Sequence, residues 1–151
     1  MAVRIDKAGR TGFLVSIRNK EETPILNGQI VELGDYIEPD VYGATAVKAL
    51  DSDKLAIHVS IDDKGVCEDK FGLKGEKVGR AYKPETGQVF TIPKTLFDGT
   101  IKVNEFVAPQ VGSQKWKASA TKPDAKVYGE VLAEERFAGQ DCIVIDIYSL
   151  I

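Results

Sequence analysis

The chain has 151 residues, of which 43% are hydrophobic and 28% are charged, and its formal net charge at pH 7 is −3. A chain of this length and composition folds as one globular domain without needing a disulfide or a metal. Cys67 and Cys142 lie far apart, so neither a disulfide framework nor the short ligand spacing of a zinc site is present, and we expect two reduced thiols. The first residues lack the apolar run of a signal peptide, and no stretch is apolar over the length needed to cross a bilayer. These features predict a protein made and folded in a cytoplasm, with no membrane partner.

Short runs rich in Val, Ile, Thr, Phe and Tyr recur along the chain between Gly, Pro, Asn and Asp residues, which is typical of an all-β sandwich or barrel. Side chains alternate along a strand, so Ile143, Ile145 and Ile147 share a face that we expect to be core. Lys94–Asp98 allows at most a short helical turn. The predicted strands, in chain order, are Gly12–Ile17, Gln29–Leu33, Tyr36–Ile37, Ala44–Ala49, Lys54–Ile61, Lys77–Tyr82, Gln88–Ile92, Phe106–Ala108, Lys115–Ala118, Val127–Ala133 and Gln140–Tyr148.

A weak internal echo relates Asn27–Pro39 to Asp98–Pro109. Both segments open on a turn dipeptide, pass through a short strand and close on Pro, which cannot donate to a central ladder. The sequence therefore predicts a mainly β fold with little helix, a compact barrel or sandwich-like domain over residues 12–151. Two small β lobes, residues 12–61 and 77–151, are one arrangement of this domain.

His58 is the single histidine of the chain, and it lies in the alternating run Leu55–Ile61, where it shares a face with Ala56 and Ser60. No motif marks a nucleophile or an orienting carboxylate that would make it a general base. We interpret His58 as a residue on the surface of a sheet. The sequence predicts no catalytic residue, and so a protein that is not an enzyme.

The acidic pairs of the chain lack the spacing of a calcium-binding loop. We interpret the segments Asp51–Lys54 and Asp62–Lys74, which carry most of these acids, as solvated loops and predict no metal site. The glycines of Gly72–Gly79 are not followed by the Gly-Lys-Ser/Thr ending of a phosphate-binding loop, so this segment is interpreted as a flexible loop that enters a strand. No cofactor is predicted.

Trp116 lies between Lys115 and Lys117, a pattern that suits either a base-stacking platform or a half-buried strand with Trp inward and Lys outward. We favour the strand, because positive charge in residues 1–20 and 70–126 is offset by negative charge elsewhere, which argues against a nucleic-acid partner. A small β-barrel module that binds a sugar or a peptide is an alternative. Its exposed aromatic surface would then consist of Tyr82, Phe90 and Trp116.

Four segments, in chain order, resemble small structural proteins of tailed bacteriophages, namely the head decoration or cement class: Arg4–Gly9, Asn27–Gly34, Val78–Ile92 and Lys126–Val131. The resemblance implies a β-rich domain on the outer capsid shell that reinforces contacts between capsomers. It implies the major capsid protein as partner, self-association as a trimer or dimer, and a location on the exterior of the virion. A tail-associated structural protein is the alternative within the virion.

A basic segment opens the chain, and we expect residues 1–11 to be an N-terminal arm ahead of the first strand. An arm of this kind can order when it binds a partner. Arg4, Lys7 and Arg10 are therefore the candidate residues for docking on the capsid, and an ordinary disordered terminus is the alternative.

Overall fold

The computed structural model describes residues 4–7, 14–38, 41–59, 72–137 and 139–150. Nearly all the regular structure in these residues is β-strand, as the sequence predicts. The described part of the chain has one helical piece, a 3-10 turn at Lys94–Leu96, where a short turn was expected. The strands are β1 Arg4–Lys7, β2 Leu14–Asn19, β3 Ile25–Leu26, β4 Ile30–Glu38, β5 Val41–Thr45, β6 Leu55–His58, β7 Gly72–Leu73, β8 Val78–Tyr82, β9 Val89–Pro93, β10 Phe97–Asp98, β11 Phe106–Pro109, β12 Trp116–Ser119, β13 Val127–Phe137 and β14 Gln140–Ser149.

Five strands form a closed barrel in the order β2-β5-β4-β6-β8. β2 lies parallel to β5 and antiparallel to β8, and this second pairing closes the barrel. β4 is antiparallel to both of its neighbours, and its register against β5 shifts on either side of Tyr36. Such irregularities bend a strand and increase its twist, which a small closed barrel requires.

A second, seven-stranded sheet has the order β1-β9-β14-β13-β11-β12-β10. Its longest pairing is the antiparallel β13–β14 hairpin, in which the register shifts between Val131 and Ala133. β10 pairs with β12 in parallel, and the other neighbours in this sheet are antiparallel. We call these two units the barrel and the sheet.

The barrel and the sheet share one hydrophobic core. Ile30, Leu55 and Ile57 of the barrel pack in the same cluster as Phe90 and Trp116 of the sheet. The residues between them in sequence, such as Val31 and Ala56, belong to a second cluster with other barrel residues. β6 and the first residues of β4 are thus buried on both faces, since their alternate side chains enter different clusters.

The terminal strand is buried as expected. Ile143, Ile145 and Ile147 have no exposed surface, which confirms that their face is core. Cys142 and Val144, on the opposite face, are also buried. Cys67 lies outside the described residues.

The structure places several boundaries differently from the predictions. Within the segment expected as an arm, residues 4–7 form β1 and pair with β9 at the edge of the sheet. The strand expected at Ala44–Ala49 ends at Thr45. β8 closes the barrel, although the division into lobes placed residues 77 onward in the second lobe. The short strands β3, β7 and β10 were not predicted.

The internal echo does not correspond to a repeated structure. The segment from Asn27 to Glu38 is a turn followed by one continuous strand, β4, whereas residues 99–105 form a loop before β11. Asn104 adopts a φ of 70° in that loop, a conformation that is rare outside glycine and turn-forming residues. The two segments therefore have similar turn residues, but their backbones follow different courses.

Candidate binding cleft

A buried polar junction connects the barrel to the sheet beside the shared core. The backbone of Gly28 donates to the carbonyl of His58 at 2.8 Å, and the Gly28 carbonyl accepts from Trp116 Nε1 at 2.9 Å. Gly28 has a φ of 97°, which an L-residue with a Cβ rarely adopts. This glycine thus lets one residue of the turn bond both to a barrel strand and to the indole of β12.

His58 is fully buried at this junction, which corrects the expectation that it lies on a sheet surface. Its Nδ1 is 3.1 Å from the Leu26 carbonyl, so Nδ1 carries the proton and donates. Burial lowers the pKa of His58 from 6.5 to about 4, and the hydrogen bond to Leu26 opposes this shift only in part. His58 is a neutral structural residue at pH 7.

A cleft of about 620 Å³ opens where the barrel and the end of the sheet face each other. Lys54 precedes β6, Lys83 follows β8, and Lys126 precedes β13. Three separate parts of the chain therefore deliver one lysine each. The volume of this cleft falls within the range of roughly 300–1,000 Å³ seen for ligand-binding sites. We call this site the lysine cleft.

The remaining lining of the lysine cleft is mostly apolar. Leu33 and Leu55 are buried barrel residues that form part of the lining, whereas Leu150, just after β14, is 76% exposed. Asp53 is the single carboxylate among the lining residues that the structure describes. Gly34, Tyr42 and Pro84 complete the lining.

An aromatic pair extends one wall of the lysine cleft. The Lys83 ammonium lies 5.9 Å from the centre of the Tyr42 ring, a distance at which the cation is attracted to the ring face. Tyr42 in turn contacts Tyr36 edge to face, with ring centres 5.2 Å apart. Since Tyr36 is 57% exposed, the apolar surface continues beyond the cleft.

The exposed aromatic surface suggested by the sequence does not exist in this form. Phe90 and Trp116 are fully buried, and Tyr82 is half-buried with its ring 6.3 Å from that of Phe90. These residues build the shared core. The favoured expectation for the Lys115–Lys117 segment is confirmed, because Trp116 is buried and both lysines are exposed.

The candidate docking residues at the start of the chain are placed only in part. Arg4 and Lys7 lie on β1, at one edge of the sheet, and Arg10 lies outside the described residues. Their docking role stays a prediction.

The other candidate motifs lie on surface segments where they are described. Asp51 and Asp53 are exposed in the loop before β6, and the acids of residues 60–71 lie outside the described residues. Among the residues that the structure describes, no three His, Cys, Asp or Glu side chains come together as a metal site would require. In the same residues no helix is long and apolar enough to cross a membrane.

Comparison of the chain with protein-family models, with curated proteins and with solved structures finds no match.

Sequence reasoning missed the lysine cleft because its three lysines are far apart along the chain. The sequence did show the excess of positive charge in residues 70–126, to which Lys83 and Lys126 belong. It did not show that Lys54, from the acidic part of the chain, joins them. Only the closure of the barrel and its packing on the sheet bring the three together.

Proposed function

We propose that this chain is a non-enzymatic structural protein of a tailed-bacteriophage head, which binds the outer surface of the capsid and stabilises contacts between capsomers. The observation that carries the proposal is the ordered resemblance of four segments to head decoration proteins. These segments include all or part of β1, β4, β8, β9 and β13. They therefore belong to both the barrel and the sheet, and the resemblance extends over the framework of the fold.

The architecture supports a role in protein–protein contact. β1 is the outermost of the described strands at one edge of the sheet, and an edge strand offers backbone groups with which a neighbouring chain can pair. The proposed partners are the major capsid protein and further copies of this chain, as a trimer or dimer. The proposed location is the exterior of the virion.

The first test is the copy number of the chain in virions purified from the phage that encodes it, measured by quantitative mass spectrometry against the major capsid protein. Hundreds of copies per particle are the result expected for decoration of the whole shell. A handful of copies would instead indicate a tail or portal-proximal protein, and absence from the particle would overturn the proposal.

A reconstitution experiment separates the docking residues from the fold. Capsids that lack the chain are incubated with the purified protein or with an Arg4→Gln, Lys7→Gln, Arg10→Gln variant, and bound protein is measured after sedimentation. Weaker binding of this variant at unchanged thermal stability supports docking through the basic N-terminal segment. Deleting residues 1–10 would be a poorer test, because it also removes β1 from the sheet.

A further inference from the structure

We infer that the lysine cleft is a docking site for an acidic peptide segment that carries an apolar side chain. Under the proposed function this segment belongs to the major capsid protein, and that assignment rests on the proposed function. The chemical class of the ligand is inferred from the cleft alone: from its charge, its apolar lining and its position between the barrel and the sheet.

The charge of the cleft lacks a matching partner within the described part of the chain. Three lysines and one acidic residue, Asp53, line the cleft, and no ammonium group of the three lies within 4.0 Å of a carboxylate oxygen in the described residues. Elsewhere on the surface Lys20 pairs with Glu76 at 3.0 Å and Lys94 with Glu134 at 2.8 Å. A segment with two or more carboxylates would complement the cleft, since complementary charge gives orientation and speeds encounter.

The apolar part of the cleft indicates a ligand that is more than an anion. Leu33 and Leu55 line the cleft from β4 and β6, while Leu150 stands at its rim with 76% of its surface exposed. Leu33 and Leu55 are already covered at 5% and 1% exposure, so an inorganic ion would leave the apolar surface of Leu150 in water. A side chain such as leucine, inserted between flanking acids, would cover it and gain from the burial of apolar area.

The extent of the surface favours a polypeptide over a small molecule. The Tyr36–Tyr42 pair carries apolar surface from the lining out to an exposed ring, so the complementary surface is longer than the cleft. A peptide lying along it would place its acids near the three lysines and its backbone against the tyrosine pair. Exposed apolar patches beside polar rims are typical of protein–protein sites.

The position of the cleft gives docking a consequence for the whole protein. Lys54 is carried by the barrel side and Lys126 by the start of β13 in the sheet. A segment that contacts both would hold the barrel and the sheet together from outside. Because it binds the folded chain alone, it would raise the melting temperature, and the rise would grow with the logarithm of the peptide concentration above the dissociation constant.

The probe is an acetylated and amidated pentapeptide in which one leucine is flanked by two glutamates on each side. We expect saturable binding to the full chain by calorimetry, weakened by salt because exposed charges are screened. A peptide with glutamine in place of each glutamate should bind at least about tenfold more weakly. Equal binding of both peptides, or no binding of the acidic peptide, would overturn the inference.

Two triple variants with the same change in net charge locate the site. The cleft variant carries Lys54→Glu, Lys83→Glu and Lys126→Glu. The control carries Lys74→Glu, Lys102→Glu and Lys117→Glu, three exposed lysines that do not line the cleft. We expect at least a tenfold loss of peptide affinity in the cleft variant and less than a threefold loss in the control. Equal losses would mean that the peptide responds to overall charge and would sink the assignment.

The apolar contact has its own matched pair. Leu150→Ala should weaken binding of the acidic peptide severalfold, while Val111→Ala, at a residue 59% exposed and outside the cleft, should leave it unchanged. Wild-type affinity of the Leu150→Ala variant would contradict the inferred contact between Leu150 and the leucine of the peptide.

Capsid binding distinguishes the two proposals from each other. The assay uses capsids that were prepared without the chain. If the cleft variant binds neither the peptide nor these capsids, the two proposals stand together. If capsids bind the cleft variant as well as the wild type, the cleft assignment fails and the capsid function stands. If peptide binding depends on the cleft but virions do not contain the chain, the capsid function fails and the ligand class stands.

Discussion

Where Trp116 meets Gly28, the barrel and the sheet join through fully buried groups, whereas at the lysine cleft the same two units border a cavity lined by charged side chains. The indole of Trp116 has no exposed surface and donates to the Gly28 carbonyl at 2.9 Å. At the cleft, Leu150 remains 76% exposed. The first meeting place is packed and joined by a buried hydrogen bond, and the second is open to water.

The backbone reinforces this difference. The connection between β11 and β12 is bonded to the barrel, since Gln114 accepts from the Ile30 amide at 3.0 Å and Gly112 donates to the Val47 carbonyl at 2.7 Å. A third bond of this connection, from the Val47 amide to the Ser113 carbonyl, is 3.3 Å long, whereas on the cleft side a single bond of that length joins the Lys126 amide to the Leu50 carbonyl. A firm joint at one end allows an open cleft at the other without separation of the two units, which suits a surface kept available for a partner.

The largest effect is expected for Trp116→Ala, because it opens a cavity in the shared core and removes the indole donor. We expect a loss of about 3–5 kcal/mol in the free energy of unfolding, measured by urea denaturation. Trp116→Phe keeps most of the volume but leaves the Gly28 carbonyl without its donor, and should cost less. A loss below about 1 kcal/mol for Trp116→Ala would show that the junction does not hold the units together.

A smaller effect is expected when His58 is charged by acid. Its pKa is about 4 in the folded chain and 6.5 when exposed, so below pH 6.5 the unfolded chain binds more protons. The stability due to the neutral imidazole is thus complete above pH 6.5 and is lost as pH falls towards 4. We expect about 2 kcal/mol less stability at pH 5 than at pH 7, measured by urea denaturation at both values.

The control for this pH effect is His58→Asn, which keeps a donor for Leu26 and does not titrate. Its stability should change much less than that of the wild type between pH 7 and pH 5. If both proteins lose the same stability, carboxyl groups and not His58 cause the acid sensitivity.

Strands could be predicted from the sequence where an alternating apolar pattern alone defines them. Period-two apolar runs bounded by turn residues located β8, β9 and β14 to within a residue or two, because side chains alternate on any strand. β1 was missed since Arg4–Lys7 carries three charged residues and pairs only by lying at a sheet edge. The two-residue strands β3 and β7 exist through tertiary pairing, which no local pattern contains.

His58 marks the limit of the alternation argument. The pattern placed it correctly on the face of Ala56, but the argument assumed that this face meets water. β6 is covered on both sides, because Leu55 and Ile57 enter the shared core while Ala56 enters the barrel cluster. Which faces are covered depends on the packing of the barrel against the sheet, and a single strand's sequence does not encode it.

The smallest effect on stability is expected at the lysine cleft. Lys83→Gln removes the contact with the Tyr42 ring, and Leu150→Ala truncates an exposed side chain; each should cost less than about 1 kcal/mol in urea denaturation. These residues would then affect acidic-peptide affinity while contributing little to the fold, the reverse of Trp116. A loss above about 2 kcal/mol for either variant would mean that the cleft is part of the structural joint. Its lysines would then need a structural explanation, since the division between a packed junction and an open docking site would no longer hold.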